Sequence, residues 1–330
     1  MTRIQAASQN LSYRQQDSPF AIDVVKGLSS NPKYLQSKYF YDCKGDFLFR
    51  QIMQLEEYYL TACEYEILEK NKEAILDYFG REGSPFELVE FGAGDGLKTK
   101  VLLRHFLRHK ARFEYIPIDI SQNALDALIA DLDREFPRLK RTGLRGDYFE
   151  CLSTLNDLYH KRKAVLFLGS NIGNFSTAET AAFLKQAREN LNCGDMVLTG
   201  FDLKKDPDAI LKAYNDPYGV TAEFNLNLLD RINRELDADF DRKFFKHYAA
   251  YDPQSGEARS FLVSMRPQAV YIGVANREFH FEAWEAVHTE ISRKYTLAQI
   301  CEMAETAGFG VVDNFFDEKK YFVDSLWRAE

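Results

Sequence analysis

The sequence predicts an α/β protein built on a parallel, doubly wound sheet, with a second domain assembled from two separated pieces of chain. Three observations lead there. Apolar runs ending in turn residues alternate with stretches at helical spacing from about Glu87 to Lys205. That alternation breaks between about Asp206 and Val287 and then resumes. The N-terminal flank is crowded with aromatics, in KYFYDCKGDFLF and LEEYYL, and carries no βα pattern of its own.

Taken in order, the flank leads into a helix whose opening is marked by Thr61 and Glu64, a capping pair. ELVEFGAG then reads as a buried strand breaking into glycines, and KTKVLLRHFLRH as the helix after it. EYIPIDIS is a second strand, with Ser121 as the N-cap of SQNALDALIADLDREF. RTGLRGDYF, AVLFLGSNIGNF and DMVLTGFDLKK supply three more strands, and the capping box Ser176-Thr177-Ala178-Glu179 opens a helix between the last two. In the interruption, AEFNLNLLDRINREL reads as a helix and HYAAYDPQSGEARSFLVS as a hairpin. TLAQICEMAETAG returns to helix, and FGVVDNFF and YFVDSLWR lie so close in sequence that they pair antiparallel. The sheet domain is therefore 62–204 with 293–330, and the second domain 10–61 with 205–292.

A chain of 330 residues is long enough for both domains, and 45% hydrophobic with 28% charged residues is a globular composition. The net charge of -8 argues against nucleic acid as a partner. No apolar run reaches membrane length, and MTRIQAASQNLSYRQQ lacks a hydrophobic signal core, so a cytoplasmic location is expected. Five scattered cysteines without CxxC fit a reducing compartment, and the absence of HExxH and GxSxG leaves metal and serine-triad chemistry without a motif.

The strongest local signal is Glu90-Phe91-Gly92-Ala93-Gly94-Asp95-Gly96. A dinucleotide fingerprint requires G-x-G-x-x-G, whereas here the third glycine arrives one residue early and an acid stands two before the first. No phosphate-binding Lys-Ser/Thr pair follows. This E-x-G-x-G-x-G form resembles the first motif of Rossmann-like S-adenosylmethionine methyltransferases. Asp119 at the end of the second strand is placed to accept from ribose hydroxyls. Asp147 after the third is placed for the adenine amine, with Tyr148 or Phe149 against the ring. Either acid alone is more often a turn or cap residue. Acids at successive strand ends favour the cofactor reading, because open α/β sheets bind ligands there.

A narrower resemblance follows from FLGSNIGNF, AYNDPYGVTAEFNLNLLDRIN, KYFYD, LEEYYLT and HTEISRKY, which occur in one order from about residue 34 to the end. In these the chain resembles the histidine-specific methyltransferases, which trimethylate the α-amine of L-histidine to hercynine on the route to ergothioneine, consuming one S-adenosylmethionine per methyl. The resemblance implies that Gly92, Lys98, Asp119, Asp147 and Tyr148 hold the cosubstrate and that Asn174 and Tyr214 bind the substrate carboxylate. It further implies Tyr41 and Tyr58 on the amine side, Phe49 and Gly169 as lining, and Glu290 and Ser292 reading the imidazole. One departure stands out: Ser260 falls where some members carry a methionine beside the imidazole.

Within VHTEISRKY, an extended backbone sends Glu290 and Ser292 to one face and Ile291 to the other. Taken singly, Glu290 is an ordinary solvated strand residue, Asn174 a turn former, and Tyr41 and Tyr58 members of an aromatic cluster. Their ordered combination favours a site. Alternatives are a methyltransferase of the same fold acting on another free amino acid such as tryptophan, or a non-catalytic S-adenosylmethionine-binding protein. A monomer acting on a small molecule, without metal, is expected.

Overall fold

The structure, a computed structural model, describes residues 18–80, 83–158 and 161–330. Residues 10–17 of the expected second domain, and the N-terminal stretch read for a signal sequence, lie outside the described residues. The chain divides into two compact units. Among the described residues, one comprises Tyr59–Lys205 and Arg293–Glu330, the other 18–58 and Asp206–Ser292.

In chain order the strands are β1 (Phe86–Phe91), β2 (Phe113–Asp119), β3 (Leu144–Arg145), β4 (Arg162–Phe167), β5 (Met196–Asp202) and β6 (Phe245–Asp252). There follow β7 (Glu257–Ser264), β8 (Gln268–Ile272), β9 (Arg277–Phe281), β10 (Ala286–Arg293), β11 (Phe309–Phe316) and β12 (Phe322–Ala329).

The first unit is an α/β layer structure around one sheet ordered β11-β12-β5-β4-β1-β2-β3. β1 pairs parallel with β2 and β4, β4 with β5, and β2 with β3. β12 runs antiparallel to both β5 and β11, because the short turn after β11 can return the chain only in the opposite sense. β1 and β5 are buried along their whole length, as strands covered on both faces must be. Phe91, Val165, Phe167, Phe201 and Trp327 carry the core. The capping box of Ser176 and Glu179 is present on helix Thr177–Glu189, and Ser121 caps helix Gln122–Glu135 through the Ala124 N–H.

Two local expectations are corrected. Helix Tyr59–Gly80 begins two residues before Thr61, so Thr61 sits in its first turn and Glu64 is not a cap but fully buried. β3 is only two residues long, and Tyr148 and Phe149 open helix Tyr148–Leu158 instead of extending the strand.

The second unit has a three-stranded antiparallel sheet, β10-β7-β6, and a separate β8-β9 ribbon. Helices Pro19–Ser29, Cys43–Ile52, Pro207–Tyr214 and Val220–Leu236 belong to it. Asp42 caps the second of these through the Gly45 N–H at 2.7 Å, and Asp206 with Pro207 at the first helical position starts the third. Phe40, Phe224, Leu228, Leu262 and Phe281 are among its core side chains. Among the described residues, no helix is long and apolar enough to cross a membrane.

Candidate active site

The cofactor-type features all lie in the sheet unit. Gly92, Gly94 and Gly96 have φ of +68°, +53° and +65°, so each stands in the left-handed region that glycine enters without penalty. A β-carbon at Gly96 would come within 2.6 Å of Leu128, and one at Gly92 within 3.0 Å of the Tyr148 hydroxyl. The turn therefore presents bare backbone at the carboxyl end of β1, a cradle that a side chain would fill. Asp119 closes it from β2: Oδ2 accepts the Gly94 N–H at 3.1 Å and Oδ1 the Ser121 N–H at 2.8 Å. An exposed turn of this kind, with an acid at its rim, suits a ligand that offers hydroxyl donors and no phosphate.

Glu90, the acid of the motif, does not face a ligand. It is buried, accepting from Thr99 Oγ1 at 2.5 Å and from the Tyr115 hydroxyl, and so ties the following helix to β2. Burial pushes its carboxyl up to about 7, against the lowering effect of those two hydroxyls.

Lys98 and Gly169 meet at a residue that sequence reasoning assigned only to a helix opening. Both Glu64 oxygens accept the Gly169 N–H, at 2.7 and 3.0 Å, and Lys98 Nζ forms an ion pair with Glu64. A β-carbon at Gly200 would overlap Glu64 Oε1, so β5 makes room for this carboxylate. Asp324 pairs with Gly200 in register, and burial with Glu64 nearby holds its carboxyl well above the usual range. No local pattern distinguishes Glu64, because its partners lie far along the chain.

Asp147 Oδ1 accepts from Phe149 N at 2.9 Å and Glu150 N at 3.4 Å, which makes it the cap of its helix. The Tyr148 ring stacks on Phe91, with centroids 4.9 Å apart and planes at 12°. Asn174 ends the 3-10 turn Asn171–Asn174, which follows Ser170 at φ 55°. Gly173 in that turn packs against Arg293, where a β-carbon would lie 2.7 Å from the Arg293 carbonyl.

The other expected residues lie in the second unit. Tyr41, Phe49, Tyr58 and Tyr214 form a chain of edge-to-face rings with successive centroids 5.5, 6.2 and 6.5 Å apart. Phe224 joins them, 5.7 Å from Tyr41 and 5.8 Å from Phe49. Sequence reasoning missed it because it looks like any apolar position of helix Val220–Leu236. The Tyr214 hydroxyl donates to Ser292 Oγ at 2.7 Å, and both side chains are buried. Glu290 is half-buried on the same strand, β10. Ser260, on neighbouring β7, is buried, and its carbonyl accepts from Thr289 Oγ1 at 3.0 Å. The described residues hold no group of three or more His, Cys, Asp or Glu side chains placed around a metal ion.

The chain is 37% identical over 284 residues to the histidine N-alpha-methyltransferase of Mycolicibacterium smegmatis, covering 86% of this chain and 87% of that one. It is 35% identical over 305 residues to the enzyme of the same name from Mycobacterium tuberculosis, covering 92% and 93%. An L-tryptophan methyltransferase of Psilocybe serbica is more distant, 27% identical over 331 residues, with 93% and 92% covered. Residues 20–329 match the family described as histidine-specific methyltransferase, SAM-dependent, and this chain belongs to that family.

Proposed function

We propose that this chain trimethylates the α-amine of L-histidine to hercynine, a step toward ergothioneine, with substrate recognition carried by Tyr214, Glu290 and Ser292. The observation that carries the reading is the buried hydroxyl pair between Tyr214, at the end of helix Pro207–Tyr214, and Ser292, on the strand that also bears Glu290, in a chain matched to the family over residues 20–329. Neutral imidazole has one donor and one acceptor nitrogen. A carboxylate only accepts and a hydroxyl also donates, so Glu290 and Ser292 complement that ring. An indole lacks the acceptor and would leave the hydroxyl unpaired, which supports histidine over tryptophan.

S-adenosylmethionine supplies an electrophilic methyl group on a sulfonium. Gly92 and Gly94 offer it backbone, Asp119 accepts from its ribose, Asp147 and Tyr148 take the adenine end, and Lys98 is held beside them by Glu64. Gly169 contributes lining near Lys98. Asn174 and Tyr214 take the amino-acid carboxylate. A phenol has a single proton to give, so Tyr214 holds Ser292 before histidine arrives and redirects that proton to the carboxylate on binding. The α-amine must be neutral to attack. A neighbouring positive charge disfavours the ammonium form, and its proton leaves to water, directly or through the Tyr41 hydroxyl, which passes its own proton on as it takes the amine's. The faces of Tyr41, Phe49 and Tyr58 suit the cation that grows with each methyl. We further propose a monomer, acting in the cytoplasm without a metal, in keeping with the acidic charge and scattered cysteines.

Mass spectrometry after incubating the protein with S-adenosylmethionine and each of the twenty amino acids tests this. Mono-, di- and trimethylated histidine are expected, with tryptophan near background. Histamine, lacking the carboxylate, is expected to be a very poor substrate, and equal methylation of histamine would remove the anchor assignment.

A further inference from the structure

Asp202, at the carboxyl end of β5, is fully buried and collects three side-chain donors. The Tyr59 hydroxyl reaches both of its oxygens, at 3.0 and 2.9 Å. Lys294 Nζ lies 2.8 Å from Oδ2 and is itself fully buried, and Lys205 Nζ forms an ion pair with Oδ1. Lys205 also donates to the Tyr59 hydroxyl at 2.9 Å and to the Leu203 carbonyl at 2.6 Å. The Asp202 backbone takes part as well: its N–H donates to Ser170 Oγ at 3.0 Å and its carbonyl accepts the Tyr295 N–H at 2.9 Å.

The positions of the three donors are not scattered. The chain passes between the two units at Tyr58–Tyr59, Lys205–Asp206 and Ser292–Arg293. Tyr59 and Lys205 stand at the first two passages, and Lys294 one residue inside the third. A buried carboxylate with two ammonium partners is costly unless each charge is well placed, and well-packed apolar side chains often serve stability as well. Burial pulls the Lys205 ammonium below its ordinary value while Asp202 raises it.

We propose that Asp202 is a positioning residue for histidine recognition: it fixes the backbone at all three passages and, through it, Tyr58 and Ser292. Tyr58 is the immediate neighbour of Tyr59, and Ser292 lies two residues before Lys294. The Gly169–Asn174 loop is tied in through Ser170 and through Gly173 on Arg293. The inference rests on the substrate roles given above to Tyr58, Ser292 and Asn174.

The test compares Asp202→Asn, Tyr59→Phe, Lys205→Met and Lys205→Arg for KM and kcat on histidine at saturating cosubstrate, with S-adenosylmethionine Kd from calorimetry. Expected is a KM raised about tenfold or more by Asp202→Asn and roughly threefold by Tyr59→Phe and Lys205→Met, with Kd unmoved within about twofold. Lys205→Arg, which keeps the charge, is expected to restore most of the wild-type KM. If Asp202→Asn fails to fold, Tyr59→Phe and the Lys205 pair decide. An unchanged KM in folded Tyr59→Phe and Lys205→Met overturns the proposal, as does a Kd that rises in step with KM. Ser292→Ala, run in parallel, separates the two readings. If it raises KM while the Asp202 set does not, only this inference falls; if neither does, the substrate assignments fall with it.

Discussion

The two units, to which different recognition tasks are proposed, are built of different materials. In the sheet unit the surface proposed for the cosubstrate is backbone: three left-handed glycines and an aspartate that braces one of them, with the Glu64–Lys98 ion pair and the buried Glu90 kept as side chains apart from it. In the second unit it is side chains: four aromatic rings in edge contact, a hydroxyl pair and one half-buried acid. Backbone recognises what is common to a cosubstrate used by many enzymes. Side chains on helices, loops and a small antiparallel sheet are free to vary, and specificity for one amino acid is proposed to reside there. The contrast implies that substitutions in one unit move cosubstrate affinity, and substitutions in the other move amino-acid selectivity.

The largest expected effect tests the charge behind the glycine turn. The buried Glu90 carboxyl titrates near 7, against 4.5 for an ordinary glutamate. In that window the folded state holds more protons than the unfolded chain, so the contribution is fully present below it and is lost as pH rises through it. That amounts to on the order of 3 kcal/mol between the two limits. Urea melts of wild type and Glu90→Gln from pH 4 to 8 should show wild type losing ground to the variant as pH rises. A gap independent of pH would mean that Glu90 does not titrate there.

Next in size is Glu290→Ala. Loss of a charged acceptor should cost about 2 kcal/mol in kcat/KM for histidine and collapse the histidine-to-tryptophan ratio, with cosubstrate affinity unchanged. A ratio that stays where it was would reduce Glu290 to an ordinary strand residue.

Asp119→Ala should weaken S-adenosylmethionine binding by about 1.5 kcal/mol while sparing the histidine KM at saturating cosubstrate. Because Asp119 also holds the Gly94 N–H, Asp119→Asn should recover part of the loss. Calorimetry showing full affinity in the alanine variant would remove Asp119 from the site.

The finest test concerns the hydroxyl pair. Tyr214→Phe and Ser292→Ala should each raise the histidine KM by about 1 kcal/mol equivalent, and the double variant by clearly more than the sum, because each single change also spares the free protein a bond that histidine must break. Additive losses would show that the two act separately and that the 2.7 Å contact plays no part in recognition.

Several features were legible in the sequence because their causes are local. The glycine turn follows from backbone sterics within seven residues, and the Ser176–Glu179 box from a hydrogen-bond pair across three. The βα alternation is a matter of side-chain periodicity, and it fixed the fold class and the existence of a second domain. Asp147 was legible only as one of two things, and the structure shows it capping a helix while its adenine role stays a proposal. Glu64, Phe224 and Asp202 were not legible. Glu64 meets Gly169, 105 residues away, and packs against Gly200, while Asp202 is bound by groups 143 residues before it and more than ninety after it.

By itself, then, the sequence determined much of what depends on neighbours in the chain: most of the elements, the Ser121 and Ser176 caps, the glycine turn and the ordered motifs that identify the family. Tertiary structure alone decided which acids are buried and what they hold. Whether a carboxylate reads a ligand, as Asp119 is proposed to do, or braces a helix from the core, as Glu90 does, depends on desolvation and on donors brought from distant strands. Residue type and spacing carry no record of either.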